Sequence, residues 1–174
     1  MPAPATFEAS LSKSANLGDA TPAADTLAAA ASDVAFASVI SLPAAEGVVD
    51  RRVRVHVELE ITSSGSAVTV TIRLKLGSTT ICTLLTMAIA NSQTAVPMAV
   101  DFDILIQEVG DTGDVTAWGR AISAALTNKV HLAAVTTTEV DNNAAANLVL
   151  SAESSAATGG NSVKLTAITA EIVR

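Results

Sequence analysis

The chain has no Tyr, one Trp (Trp118) and three Phe (Phe7, Phe36, Phe102) among its 174 residues. Aromatic side chains dominate interface hot spots and form the platforms on which sugars and bases stack. Their scarcity argues against a sugar-binding module and against a single-stranded nucleic-acid binder. Cysteine is almost as rare: Cys82 stands alone, so no disulfide can form within the chain and the fold must rest on packing. It sits in Ile81-Cys82-Thr83-Leu84-Leu85, where a thiol behaves as a small buried hydrophobe. Charge is sparse and mostly acidic, with a net value of −7. Binding to DNA or RNA runs on Lys and Arg meeting phosphates, so a nucleic-acid partner is disfavoured. The one basic cluster, Arg51, Arg52 and Arg54, reads as a solvated strand edge. No stretch approaches the roughly 20 apolar residues of a membrane helix. Met1-Pro2-Ala3-Pro4 lacks the basic and apolar regions of a secretory signal, so cytoplasmic synthesis without membrane insertion is expected.

What the chain does have is aliphatic side chains in strict alternation. Val53, Val55, Val57, Leu59 and Ile61 point one way; Arg52, Arg54, His56, Glu58 and Glu60 point the other. After Ser63-Ser64-Gly65-Ser66 the pattern resumes with Val68, Val70, Ile72, Leu74 and Leu76. A period of two is that of a strand with one buried face, so this region predicts two antiparallel strands joined in a hairpin. Further strands are expected over 34–40, 79–88, 97–106, 115–126, 129–137, 145–152 and 163–173, separated by turn-forming Gly, Pro, Asn and Asp. About eight to nine short strands at regular spacing predict an all-β antiparallel sandwich over residues 33–174. Many outward positions carry Thr, Ser or Ala where a solvated face normally carries charge, which points to a surface covered by neighbours.

Residues 1–32 differ. They are rich in Ala, Pro, Ser and Thr, with Phe7, Leu11, Leu17 and Leu27 as widely spaced apolar side chains. Ordering a residue costs roughly 1–2 kcal/mol of backbone entropy, whereas a buried methylene returns only about 0.8 kcal/mol. An arm of this composition cannot hold itself in place, so it is expected to be either disordered or laid along another surface, with those four residues as its anchors in the second case.

No constellation points to catalysis. Asp101 and Asp103 share a strand face about 7 Å apart, and with Glu58 and Glu60 they read as exposed strand positions. Asp111, Asp114 and Asp141 lie in segments whose shape calls for Asp, Asn and Gly, without the spacing of a calcium loop. His56 and His131 are too isolated for a zinc site or a triad, and no nucleophile elbow or P-loop occurs. No cofactor or metal is expected. Trp118 reads first as a filler or cap of the core and second as a single aromatic anchor at an interface.

The runs VRVHVELEI, VTVTIRLKLGSTTI, MAVDFDILIQEVGDTGDVTAWGRAI and AAANLVLSAESSAATGGNSVKLTAITAEIV resemble the small jelly-roll structural proteins of tailed bacteriophages. The resemblance covers residues 33–174 and implies a homotrimeric jelly roll. The role it implies is that of a capsid decoration (cement) protein, which clamps adjacent major capsid proteins on the exterior of the virion. A head-fibre or tail-associated module recognising host glycans is the alternative it leaves open. It transfers no catalytic residue.

Overall fold

The computed structural model describes residues 15–20, 25–28, 32–42, 49–64, 68–143, 145–155 and 160–173. Among them are twelve β-strands and no helix, so none long and apolar enough to cross a membrane. The strands are β1 (Ala15–Ala20), β2 (Asp25–Ala28), β3 (Val34–Leu42), β4 (Arg52–Ser63), β5 (Val68–Leu76) and β6 (Thr79–Ile89). They continue as β7 (Gln93–Ile106), β8 (Gly113–Ser123), β9 (Val130–Leu132), β10 (Thr136–Val140), β11 (Ala146–Ser154) and β12 (Ser162–Val173).

They form two antiparallel sheets. The larger has eight strands ordered β1-β12-β4-β7-β8-β10, with β2 also on β12 and β9 also on β8; the smaller is β3-β11-β5-β6. The pairings nest: β1 with β12, β3 with β11, β4 with β7, β5 with β6. This is a long hairpin rolled into two layers, the topology of a jelly roll. Strands β8, β9 and β10 fall outside the nest and extend the larger sheet beyond β7.

The nesting corrects one expectation. The alternating strands β4 and β5 are not a hairpin; they lie in different sheets and present their apolar faces to each other across the core. Alternation reports which face of a strand is buried, and a sandwich buries the same pattern in either sheet. The stretch expected as one strand over 129–137 is also divided. Leu132 pairs with Arg120 and Thr136 with Ala117, so Ala133, Ala134 and Val135 oppose Trp118 and Gly119 and bulge from the ladder.

The core lies between the sheets. Val53, Val55, Val57, Leu59, Phe102 and Ile104 of the larger sheet meet Phe36, Ile72, Leu74, Leu84 and Leu150 of the smaller, all nearly inaccessible. Gly119 makes one close fit possible, because a Cβ there would lie 2.6 Å from Phe102 Cδ1. Outside the core, a buried Asn142 joins two loops: Oδ1 accepts from the Gly110 N–H (3.0 Å) and Nδ2 donates to the Glu108 carbonyl (2.8 Å). Of the acidic residues expected in turns, Asp141 accepts from the Asn143 N–H through Oδ1 at 3.1 Å, whereas Asp114 lies within β8, opposite Glu139 of β10.

Residues 1–32 were expected to stand apart as an arm. Within them β1 and β2 hydrogen-bond to β12 of the same chain, with Leu27 opposite Val163 and Leu17 at a bulge between Asn16 and Gly18. Phe7 and Leu11 lie outside the described residues.

Candidate functional site

The outer face of the larger sheet carries charged residues on several neighbouring strands, and strand register decides which meet. On β4 the outward series is Arg52, Arg54, His56, Glu58 and Glu60. Antiparallel pairing sets His56 opposite Asp101 and Arg54 opposite Asp103 on β7. The next strand sets Arg120 opposite Asp101 and Trp118 opposite Asp103. Two rows therefore run across the sheet: His56–Asp101–Arg120–Leu132, and Glu171–Arg54–Asp103–Trp118. Directly opposed side chains on one face lie about 4.5–5.5 Å apart at Cβ, so charges of opposite sign interlock.

Asp101 is the hub of the first row. Its Oδ1 lies 2.7 Å from His56 Nδ1, and its Oδ2 accepts from Arg120 Nε at 2.9 Å. Burial opposes its ionisation, but the His56 and Arg120 hydrogen bonds outweigh that and hold its pKa below the usual value. In the second row Asp103 Oδ1 accepts from Arg52 Nε (3.0 Å) and Arg54 Nε (3.4 Å). Arg54 also reaches Glu171 at 3.9 Å. Further along, Lys164 Nζ donates to Glu60 Oε2 at 3.0 Å.

Trp118 departs from its first reading. On β8 the inward positions are Val115, Ala117, Gly119 and Ala121, so the indole points outward and is only partly buried. The Arg52 guanidinium lies 5.2 Å from the ring centroid, a cation–π contact. Together these groups surround a cleft of about 610 Å³ lined by Arg54, Asp101, Asp103, Trp118, Gly119, Arg120, Leu132, Ala133 and Val135.

Asp101 and Asp103, noted in the sequence as a carboxylate pair, thus each engage their own partners, His56 and Arg120 for Asp101 and Arg52 and Arg54 for Asp103, rather than converging on a common point. Among the described residues no group of three or more His, Cys, Asp or Glu is placed to hold a metal. Cys82 is buried, and burial pushes its thiol up to about 11, which leaves little thiolate at neutral pH. His131 lies away from the rows, in a second concavity of about 450 Å³ shared with Leu85 and Leu132. Leu132 and Val135 drew no attention in the sequence; a bulge that opposes three residues to two leaves no periodic signal.

The fold defines the chain as an all-β jelly-roll-like sandwich. No family model and no curated protein matches it. Among solved structures it is similar to the insecticidal delta-endotoxin Cry8Ea1 from Bacillus thuringiensis, at 15% identity and a TM-score of 0.42. That match covers 87% of this chain, which spans 20% of the toxin's length. It is similar too to the CBM2 module of the evolved Dit of Lactobacillus casei BL23 phage J-1 (10% identity, TM-score 0.36, 78% of this chain and 69% of that one). A third is arcelin-5, a lectin-like defense protein from Phaseolus vulgaris (8% identity, TM-score 0.39, 92% and 97%). Likenesses of this strength carry no argument about function, and the assignment of fold rests on the strand order itself.

Proposed function

We propose that this chain is a virion structural protein of a tailed bacteriophage, a homotrimeric decoration protein that stabilises the head by binding adjacent major capsid proteins. The observation that supports this reading is the outer face of the smaller sheet. Along β3 it presents Ala35, Ala37, Val39 and Ser41, all exposed, with Val39 at 40%; beside them lie Asn147 and Val149 of β11. Solvated faces normally mix charges of both signs. Here the charged side chains among the described residues are Asp33, Arg73, Lys75 and Glu153, and they pair with one another in a single cluster that reaches from Asp33 to Lys75, opposite Val149. Small uncharged residues lose little rotamer entropy on contact, so this face suits close packing against another protein surface.

The mechanism is mass action: a protein that binds only the assembled shell stabilises it, and three linked copies add avidity. In this reading the protein is made in the host cytoplasm and resides on the capsid exterior. Residues ahead of β1, with Phe7 and Leu11, are the proposed reach onto neighbouring capsid subunits. Removing 1–14 tests that reach while keeping β1 and β2 on β12.

The deciding measurement is the location and copy number of the protein in intact particles by imaging and mass analysis. Copies spread over the whole head support decoration. Confinement to the tail or to a vertex would refute it. In solution the purified chain is expected to have the mass of a trimer, and a stable monomer at micromolar concentration would count against the trimeric form.

A further inference from the structure

We propose that the cleft where Arg54, Asp101, Asp103, Trp118, Arg120 and Leu132 meet is a saccharide site that takes a neutral glycan through its hydroxyls. It lies on the larger sheet, away from the proposed assembly face, and does not depend on that reading.

Topology is the first reason. The roll closes with its four nested pairs, and β8 to β10 are additions to it. The cleft is made by those additions: Trp118 and Arg120 come from β8, and Leu132, Ala133 and Val135 from β9 and the bulge before β10. Its volume of about 610 Å³ falls within the roughly 300–1,000 Å³ of small-molecule sites.

Placement of the one Trp is the second. A core would have absorbed this ring, yet it stands outward with the Arg52 guanidinium 5.2 Å from its centroid. An indole held this way is an amphipathic surface for the C–H face of a sugar, and Leu132 and Val135 add apolar wall beside it.

Charge balance selects the ligand class. Two guanidiniums, Arg54 and Arg120, and two carboxylates, Asp101 and Asp103, line the cleft, so its formal charges cancel. A polyanion would meet the carboxylates and a polycation the guanidiniums. Hydroxyls both donate and accept, which suits both kinds of group at once. The polar groups are also held in place: Asp101 is fixed from either side by His56 and Arg120. Arg120 engages it through Nε, which keeps its terminal N–H groups for a ligand.

The full chain carries its own reporter, because Trp118 is its one Trp and Tyr is absent. Titration with short neutral gluco-, galacto- and manno-oligosaccharides is expected to give a saturable shift in emission with at least one of them. Arg120→Ala should weaken that binding about tenfold or more, the scale of a lost charged hydrogen bond. Trp118→Ala, followed by calorimetry, should abolish it. The Arg120→Ala result stands by itself if Trp118→Ala does not fold. The proposal is overturned by silence across the panel, by binding that neither variant weakens, or by a response confined to sialylated or uronic-acid glycans. It is equally overturned if the emission tracks protein concentration and ignores sugar, which would mean that a second copy covers the cleft.

Discussion

The two outer faces of this sandwich are built on the same core and are opposites in chemistry. On the larger sheet, cross-strand register turns an alternating sequence into interlocked rows of charge around a Trp. On the smaller sheet the corresponding positions are mostly Ala, Val, Ser and Thr, with one paired cluster, Asp33–Arg73–Lys75–Glu153, among them. A face rich in paired charge is compatible with water and can present hydrogen bonds to a small polar ligand. A face of small uncharged groups offers nothing to a small ligand but loses little when another protein covers it. The same architecture thus separates a face dense in paired charge from a face made mostly of small uncharged groups.

That contrast can be broken at several levels. Both faces depend on the shared core, so the largest effect is expected from Phe102→Ala: about 3–5 kcal/mol lost, seen as an earlier urea midpoint. The native Trp118 emission and the proposed trimer should be lost together as unfolding sets in. Asn142→Ala comes next, at about 0.5–1.5 kcal/mol, because it removes the partner of the partly buried Gly110 N–H and of the Glu108 carbonyl in the loop that leads into β8. Its unfolding curve should shift while the assembly proposed for the β3–β11 face is kept.

Charge pairing should contribute less, and on both faces it should act through pH. Asp101 is held below its ordinary pKa by His56 and Arg120 against the effect of burial. At Asp33 burial is likewise outweighed, by the hydrogen bonds that Lys75 and Arg73 donate to it. A carboxylate with a depressed folded pKa contributes stability that is present above its unfolded pKa of about 4. That contribution is lost as pH falls through the folded value. Asp101→Asn and Asp33→Asn should each flatten the acid limb of a stability–pH profile by about 1 kcal/mol or less, since both sites are partly solvated. Equal slopes for variant and parent below about pH 5 would contradict the assignment.

The smallest effect on stability, and the sharpest on assembly, is expected from Ala37→Glu. An exposed outward substitution of this kind changes stability within about 0.5 kcal/mol. On a packing face it should abolish capsid binding, measured by co-sedimentation with particles. Full retention of binding would show that the β3–β11 face is not the contact.

Much of the fold was legible in advance because alternation is local. Val53 to Ile61 and Val68 to Leu76 each declared a strand with one buried face, and both faces are buried as expected. Turn residues declared Gly77-Ser78 between β5 and β6, which do form a hairpin. Pairing between distant strands was not legible, because any apolar face satisfies any other. The β4–β5 hairpin was therefore misassigned, and β1 and β2 were read as part of an arm when they extend the sheet. The candidate site was legible only as separate pieces. Arg54, His56, Asp101, Asp103 and Trp118 were all noticed, but the isolated acidic and basic positions read as a solvated surface and the Trp as core. What joined them was a pairing across 45 residues between His56 and Asp101 and 19 between Asp101 and Arg120.

The residue order alone determined that this chain is all-β, that its core is aliphatic and that no disulfide braces it, because composition and a period of two act residue by residue. Only the tertiary structure decided that the larger sheet joins its charges into rows across strands while the smaller confines its own to one cluster. It alone turned the single Trp outward, and it alone opened a cleft between the roll and its three added strands. Those outcomes depend on which strands become neighbours, and that choice is made by packing the whole chain, not by any segment of it.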